Sequence, residues 1–227
     1  SMEMLDDPLR LLSVRKNGDM AGWRSRAVSK EPWTYEWLKD FDKQTVFWDI
    51  GACIGSYSLM AAARGALVYA FEPLPVNVAE LHMNTFQNHL VEKIFITGIA
   101  AGLHDGFVDL HLHTAAIAGY GLASTDNDVD KEVHIKVPMV TLDGLSPRMY
   151  SSPTHVKIDV EGAELAVLQG MSGFLDGETL KSLIVELEDK ESEERVSAFM
   201  QKHGWSGEKV SINRIGHPVR TLVYERD

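Results

Sequence analysis

The chain has 227 residues, a formal net charge of −11 at pH 7 and a single cysteine. This length suits one large domain or two small ones, and 44% hydrophobic with 24% charged residues is typical of a globular protein. The acidic balance and the lack of a block rich in lysine or arginine argue against a nucleic-acid partner, since such proteins present a basic face to phosphates. No apolar run approaches the roughly 20 residues of a membrane span, and one cysteine cannot form an intramolecular disulfide. We therefore expect a cytoplasmic protein without a membrane span, whose oligomeric state the sequence leaves open, a homodimer included.

An N-terminal segment, residues 1–44, is expected to precede the main domain, residues 45–227. Pro32 is well placed to open a helix in this segment. The aromatic and apolar residues that follow recur at helical spacing: Trp33, Trp37, Leu38, Phe41. We interpret this helix as a packing element that covers one edge of a sheet, with an aromatic wall for a substrate as the alternative.

From Thr45 onward, short β-rich runs alternate with helical segments. The pattern predicts strands at 45–50, 67–71, 94–99, 155–158, 183–187, 210–212 and 219–224. It predicts helices at 56–64, 75–88, 163–170 and 192–203, the first of them capped by Ser56. Because strand–helix alternation builds right-handed crossovers, we expect a mostly parallel, seven-stranded Rossmann-like sheet with helices on both faces and a hairpin at its end.

Two further segments alternate apolar and polar residues with a period of two, at 108–112 and 133–137. Such a pattern predicts an antiparallel hairpin, which we expect to be inserted at the edge of the sheet. Its connection, 114–131, is long and rich in small and polar residues, and loops of that length in compact domains are usually functional or mobile. Its Gly119-Tyr120-Gly121 sequence makes it a candidate lid.

The strongest local signal is a glycine loop, Asp49-Ile50-Gly51-Ala52-Cys53-Ile54-Gly55, between the first strand and the first helix of the sheet. In open α/β sheets the ligand lies beyond the carboxyl ends of the strands, near such a loop. We expect Gly51 to let the backbone approach the ligand and Gly55 to let the helix start close to the strand. The free N–H groups suit a carboxylate, and Asp49 can accept a hydrogen bond from an ammonium group.

The spacing of the loop and the residue at the next strand end indicate which ligand it holds. The loop has the form G-x-x-x-G, whereas a dinucleotide pyrophosphate is held by G-x-G-x-x-G. Glu72 ends the next strand about twenty residues later, where a carboxylate can bind both ribose hydroxyls. Together they favour a nucleoside such as S-adenosylmethionine. An NAD(P)-dependent oxidoreductase and a non-catalytic cofactor-binding domain are the alternatives.

Four segments of the chain resemble the FkbM family of methyltransferases. They are VFWDIGACIGSYS at 46–58, YAFEPLPVNVAELHMNTFQN at 69–88, VTLDG at 140–144 and VKIDVEGAELAVLQG at 156–170. The resemblance covers roughly 45–187 and matches the C-terminal hairpin only loosely. It implies a class I methyltransferase fold, S-adenosyl-L-methionine as methyl donor, and a hydroxyl acceptor on a sugar, glycan, glycolipid or natural product. It also implies a set of cofactor-binding residues: Asp49, Gly51, Ala52, Gly55, Glu72, Pro73, Asn77, Ala100. Cys53 departs from the family, in which an asparagine is more usual.

Methyl transfer to an alcohol requires that the hydroxyl lose its proton, so we expect a base at the strand ends. Asp159 ends the fourth parallel strand, Glu161 follows on the same turn, and Glu186 ends the fifth strand. These three carboxylates are our candidate catalytic residues, acting as bases or through a divalent ion, although no metal is assigned. For Glu161, and more strongly for Glu164, the alternative is a favourable charge at a helix N-terminus. We expect Lys157 to point away from Asp159 and to face packing or solvent.

The predicted hairpin carries three histidines, at His111, His113 and His134. An H-x-H pair can bind zinc, but no third ligand has a suitable spacing, so a solvated polar face is the favoured interpretation. If the hairpin overhangs the cleft, His134 could contact a hydroxylated acceptor, and Tyr120 could stack on a sugar ring.

Overall fold

Two β-sheets organise the part of the chain that the computed structural model describes, residues 31–112, 123–124, 133–214 and 217–226. The helices are α1 Pro32–Leu38, α2 Ser56–Ala63, α3 Pro75–Gln87, α4 Glu164–Gln169, α5 Ser172–Asp176 and α6 Lys190–Lys202, with a short 3₁₀ turn at Leu142–Gly144. The strands are β1 Val46–Ile50, β2 Leu67–Phe71, β3 Ile94–Thr97, β4 Ala100–Ala101, β5 Gly106–Leu112, β6 Ala123–Ser124, β7 Val133–Val140, β8 His155–Ile158, β9 Ser182–Leu187, β10 Gly207–Arg214 and β11 His217–Glu225. No described helix has the length and apolar character needed to cross a membrane.

The larger sheet has seven strands in the order β10-β11-β9-β8-β1-β2-β3. Neighbouring strands from β9 to β3 are parallel, and β11 runs antiparallel to both β9 and β10. Consecutive parallel strands are joined by helices, as the crossover rule requires. The predicted Rossmann-like fold is therefore confirmed, and the strand order reverses between β1 and β8, where such sheets bind ligands.

Both faces of this sheet are covered by helices, which explains why its central strands are almost continuously buried. On one face, Phe47 of β1 belongs to a core that includes Leu59 of α2 and Leu81 of α3. On the other face, Trp48 of β1 belongs to a core that includes Leu168 of α4, together with side chains of α5, α6 and β11. Alternate residues of β1 thus divide the interior into two packed layers.

Helix α1 packs on a face of the sheet, so the predicted position at a sheet edge is wrong. The Trp37 ring makes edge-to-face contacts with Phe47 of β1, at 5.8 Å between centroids, and with His155 of β8, at 5.5 Å. Its indole N–H donates to Ser182 Oγ of β9 at 2.8 Å. The aromatic residues serve packing because they lie over three central strands, although Trp33 is half exposed.

The predicted hairpin forms, but in a separate sheet. Strands β5 and β7 pair antiparallel along seven residues, within a four-stranded sheet of order β4-β7-β5-β6. Leu110 and Val137 are buried while Asp109 and Lys136 form an exposed ion pair at 2.9 Å, as the period-two pattern predicts. The expected insertion at the edge of the main sheet is wrong, because the chain after β3 leaves that sheet and Ala100 pairs with β7. Apart from Ala123–Ser124, which form β6, the residues of the proposed lid lie outside the described residues, as do His113 and Tyr120.

Candidate active site

The glycine loop turns between β1 and α2 through three left-handed residues, Gly51, Cys53 and Gly55. Gly51 and Gly55 have φ values of +82° and +89°, and Gly55, not the predicted Ser56, is the N-cap of α2. A Cβ on Gly51 would overlap the carbonyl oxygen of Asp159, and one on Gly55 would overlap the side chain of Leu81 on α3. Close packing against backbone thus requires a glycine at position 51. At Gly55 the left-handed φ favours glycine, and the neighbour of the missing side chain is Leu81 of α3, not the strand as predicted.

The side chain of Glu72, at the end of β2, is hydrogen-bonded to the glycine loop. Its side chain is buried, and Oε2 accepts the N–H of Cys53 at 2.8 Å while Oε1 accepts the N–H of Leu74 at 2.8 Å. The Asn77 amide donates to Oε1 at 3.3 Å. Burial raises the pKa of Glu72, and the hydrogen bonds from Leu74, Cys53 and Asn77 oppose that rise. The carboxylate is therefore held rigidly at the strand tip, as the sequence led us to expect.

The remaining predicted cofactor residues follow the carboxyl ends of β1, β2 and β3 along the chain. Ala52 and Asn77 are buried, whereas Pro73 and Ala100 are half-buried, Ala100 on β4. Cys53 adopts a left-handed φ of +52°, a conformation in which asparagine is more common. Burial raises the pKa of its thiol to about 12, so the thiol remains protonated near neutral pH and is not an activated nucleophile.

Asp49 is a buried carboxylate at the end of β1. Only 2% of the residue is exposed, and its Oδ2 accepts the hydroxyl of Ser58 on α2 at 2.6 Å. Burial raises the pKa of Asp49 to about 6, although the charge of Lys157 and the Ser58 hydrogen bond work in the opposite direction. A buried carboxylate that is costly to ionise is well suited to pair with a cationic ligand.

Lys157 lies at the centre of the acidic residues on the neighbouring strands, so the prediction that it faces away from Asp159 is wrong. Residues two apart on a strand share a face, and the Lys157 Nζ lies 2.8 Å from Asp159 Oδ2. It also lies 3.7 Å from Glu31 Oε2 and 3.8 Å from Glu186 Oε2. The lysine side chain is 1% exposed, and its ammonium sits 4.8 Å from the ring centroid of Tyr57 on α2.

The charge states of Lys157 and of Tyr57 beside it follow from competing effects on their pKa values. Burial alone would lower the pKa of Lys157, but the carboxylates of Asp159, Glu31 and Glu186 together raise it above its usual value. Burial, with the neighbouring Glu31, raises the pKa of Tyr57 well above its usual value. Lys157 is therefore a permanent buried cation and Tyr57 a neutral phenol.

The predicted catalytic acids occupy different positions around the cluster. Asp159 is 32% exposed and Glu186 is 13% exposed at the side chain, so both are nearer to the surface than the lysine. Glu161 is half-buried in a left-handed turn with φ +55° between β8 and α4. Glu164 is buried in the first turn of α4 and accepts the N–H of Gly162 at 2.8 Å, the helix-end position that the alternative interpretation predicted. The side chain of His134 is exposed on β7, and its backbone lies opposite His111.

Sequence reasoning missed three residues of this site: Glu31, Tyr57 and Lys157. The spacing of Lys157 and Asp159 was a usable signal, since alternation places them on one face. No local pattern could have found Glu31, because it reaches the cluster only through the docking of α1 on the sheet.

The strand order, the glycine loop after β1 and the acidic tip of β2 define a class I methyltransferase domain of Rossmann-like fold. The sequence profile of the methyltransferase FkbM domain matches residues 49–206, which is more than half of the chain. The chain therefore belongs to the FkbM methyltransferase family, as the resemblance of its motifs indicated, and it is a methyltransferase.

Relatives with curated names or solved structures agree with this assignment. The hexuronic acid methyltransferase AglP of Haloferax volcanii is 27% identical over 178 residues, which cover 78% of this chain and 70% of that protein. The crystal structure of an FkbM methyltransferase from Methylobacillus flagellatus matches with a TM-score of 0.59 and 16% identity, over 81% of this chain but only 44% of that one. A candidate tRNA methyltransferase from Streptococcus pneumoniae, in complex with S-adenosyl-L-methionine, matches with a TM-score of 0.54 and 16% identity over 87% of this chain and 72% of that one. At these identities the solved structures support the fold alone.

Proposed function

We propose that this methyltransferase uses S-adenosyl-L-methionine and methylates a hydroxyl oxygen of a sugar, glycan or natural-product acceptor. The observation that carries the cofactor assignment is Glu72, whose carboxylate is buried at the tip of β2 and fixed by the N–H groups of Cys53 and Leu74. A carboxylate so placed, next to a glycine loop, suits the two hydroxyls of a ribose.

The residues around the loop fit the other parts of this cofactor. Asp49 would hold the ammonium group, since its buried carboxylate has a raised pKa and gains from a cationic partner. The backbone between Gly51 and Gly55 would bind the methionine carboxylate at the start of α2. The residues that would line the ribose and adenine are Ala52, Pro73, Asn77 and Ala100. When bound, S-adenosyl-L-methionine supplies an electrophilic methyl group on a sulfonium.

The acidic residues beside the loop suit activation of an alcohol. Asp159 is the best candidate for the base because its side chain is partly exposed and its Oδ2 is held by the Lys157 ammonium at 2.8 Å. It would accept the proton of the acceptor hydroxyl as that oxygen bonds to the methyl carbon and the methyl–sulfur bond breaks to leave a neutral thioether, a role that contributes about 10²- to 10⁴-fold in rate. Glu161 and Glu186 would bind or orient the acceptor from the adjoining strand ends.

The proposal of a sugar acceptor rests on the relative named as a hexuronic acid methyltransferase. Tyr120 and His134 remain our proposed acceptor contacts from the hairpin and its connecting loop. We keep the expectations of a cytoplasmic location and of no nucleic-acid partner, on the single cysteine and the net charge of −11.

Calorimetry and a transfer assay test the proposal together. The purified chain is titrated with S-adenosylhomocysteine, and separately with NADH and NADPH. It is then incubated with methyl-labelled S-adenosyl-L-methionine and a panel of hexuronic acids and neutral glycosides. We expect heat with the first ligand alone and label in at least one sugar. Heat with NADPH alone would favour an oxidoreductase, and tight S-adenosylhomocysteine binding without transfer would favour a non-catalytic domain.

A further inference from the structure

Three carboxylates from different parts of the chain, which we name the carboxylate triad, meet around one ammonium. They are Glu31 before α1, Asp159 after β8 and Glu186 on β9, and one oxygen of each lies within 4.8 Å of the others. This grouping would ordinarily suggest a divalent cation. Its centre is instead taken by Lys157 Nζ, which lies 2.8 to 3.8 Å from all three oxygens.

We infer that the Lys157 ammonium acts in place of a metal ion within the carboxylate triad and is a positioning residue for Asp159. The ammonium donates a hydrogen bond to Asp159 at 2.8 Å, while Glu31 and Glu186 interact with it through charge at 3.7 and 3.8 Å. It is anchored in the middle of β8, is almost fully buried, and packs against the Tyr57 ring on its remaining side. A metal could enter only by displacing this side chain, because metal–oxygen distances are about 2.0 to 2.6 Å.

Glu31 belongs to the N-terminal segment, so that segment contributes one carboxylate to the carboxylate triad. The family domain matches from residue 49, and Glu31 precedes that region. The carboxylate reaches the cluster because α1 docks across β1, β8 and β9, and Thr34 Oγ1 donates to its Oε2 at 3.2 Å. The segment before the family domain thus adds a third carboxylate beside the candidate base.

Several charged or titratable groups face Asp159, and each affects its ionisation. The groups that interact with it directly are Lys157, Asp49, Tyr57, Cys53 and Glu164, and Glu31 and Glu186 lie around the same ammonium. Lys157 is the one cation in this set, so its loss would leave Asp159 among carboxylates and favour the protonated, inactive form of the base. An opposite charge at this distance lowers the pKa of an aspartate by about 1 to 3 units.

The first test measures the pH dependence of kcat/KM for methyl transfer, and it rests on the proposed function. In Lys157→Met, we expect the acid limb to move to higher pH by about 1 to 3 units, whereas Lys157→Arg should leave it within about half a unit. Glu31→Gln removes a like charge and should move the limb to lower pH. Lys136→Met, which removes an exposed lysine of the second sheet, is the matched control and should leave the profile unchanged. An unshifted limb in Lys157→Met would overturn the inference; if that variant does not fold, an unshifted limb in Glu31→Gln would do so.

The second test needs no activity, so it separates failure of this inference from failure of the proposed function. Wild-type protein and Glu186→Gln are titrated with Mn²⁺ alone and followed by electron paramagnetic resonance. We expect equal, weak binding by both, because the triad is already filled by the lysine. A micromolar Mn²⁺ site in the wild type that is lost in Glu186→Gln would show that the triad is a metal site and would overturn the inference. S-adenosylhomocysteine titration of the same samples reports on the cofactor site independently.

Discussion

Replacing Asp49 with asparagine should stabilise the ligand-free protein at neutral pH while weakening cofactor binding. Burial raises the pKa of Asp49 from 3.8 to about 6, a difference of about 2 units. At about 1.4 kcal/mol per unit, the ionised carboxylate costs about 3 kcal/mol of folding free energy once the pH is above 6. Asparagine is neutral at every pH and keeps an oxygen that can accept the Ser58 hydroxyl, so Asp49→Asn should be more stable at pH 8 by up to this amount.

The pH dependence follows from which state binds the proton more tightly. Between pH 3.8 and about 6 the folded protein holds a proton on Asp49 that the unfolded chain has released, so the wild type loses stability as pH rises through this window. Below the window the two proteins should have equal stability. For a chain of this size, 3 kcal/mol corresponds to roughly 6 to 12 °C in melting temperature.

Urea denaturation at pH 4, 5, 6, 7 and 8, without cofactor, measures this difference directly. Ser58→Ala is a suitable control, because it removes the hydrogen-bond donor but leaves the buried charge. The same samples titrated with S-adenosylhomocysteine should show weaker binding by Asp49→Asn at pH 8. If the stability difference between wild type and Asp49→Asn is constant from pH 4 to pH 8, then the ionisation of Asp49 is not what burial penalises and our reasoning is wrong.

Three further substitutions test the site and its scaffold. Glu72→Gln should weaken S-adenosylhomocysteine binding about 10- to 100-fold in calorimetry, since it loses charge-assisted hydrogen bonds of about 1.5 to 3 kcal/mol; unchanged affinity would contradict the assignment of the ribose site. Asp159→Asn should retain that affinity but lower kcat by about 10²-fold or more, and full activity on the true acceptor would exclude Asp159 as the base. Gly51→Ala should lower the free energy of unfolding by more than about 2 kcal/mol, because the added Cβ overlaps the Asp159 carbonyl. Gly204→Ala is the control, since Gly204 has a similar φ but no atom within 4 Å of the added Cβ, and it should cost about 1 kcal/mol. Equal losses of stability in urea denaturation would contradict the packing argument.

The sequence was sufficient to predict the main sheet because its strands are short, apolar and separated by helices with clear ends. Asp49 and Glu72 could be placed at strand tips for the same reason, since each directly follows or ends a buried run. The hairpin was predicted from its alternation, but which sheet it joins depends on how the chain turns after β3, and no local pattern encodes that turn.

The errors within the site have physical causes of two kinds. The orientation of Lys157 was mispredicted through a wrong application of strand alternation, since the information was present in its separation from Asp159. The contribution of Glu31 could not be predicted, because it depends on the tertiary docking of α1. The role of Gly55 was not predicted: Ser56 was expected to cap α2 because serine is a preferred N-cap residue, and the contact of Gly55 with Leu81 depends on the position of α3.

The order of the last two strands has a consequence for how much sequence change each can accept. Strand β10 lies at the rim and touches the sheet through β11, while β11 is paired along β9, with Thr221 directly opposite Glu186. A shift of β11 by one residue would turn buried Leu222 and Tyr224 outward. It would also move Thr221 away from Glu186 of the carboxylate triad. We therefore expect the sequences of related chains to vary freely along β10. In β11 they should preserve the strand length and the alternation of buried and exposed side chains.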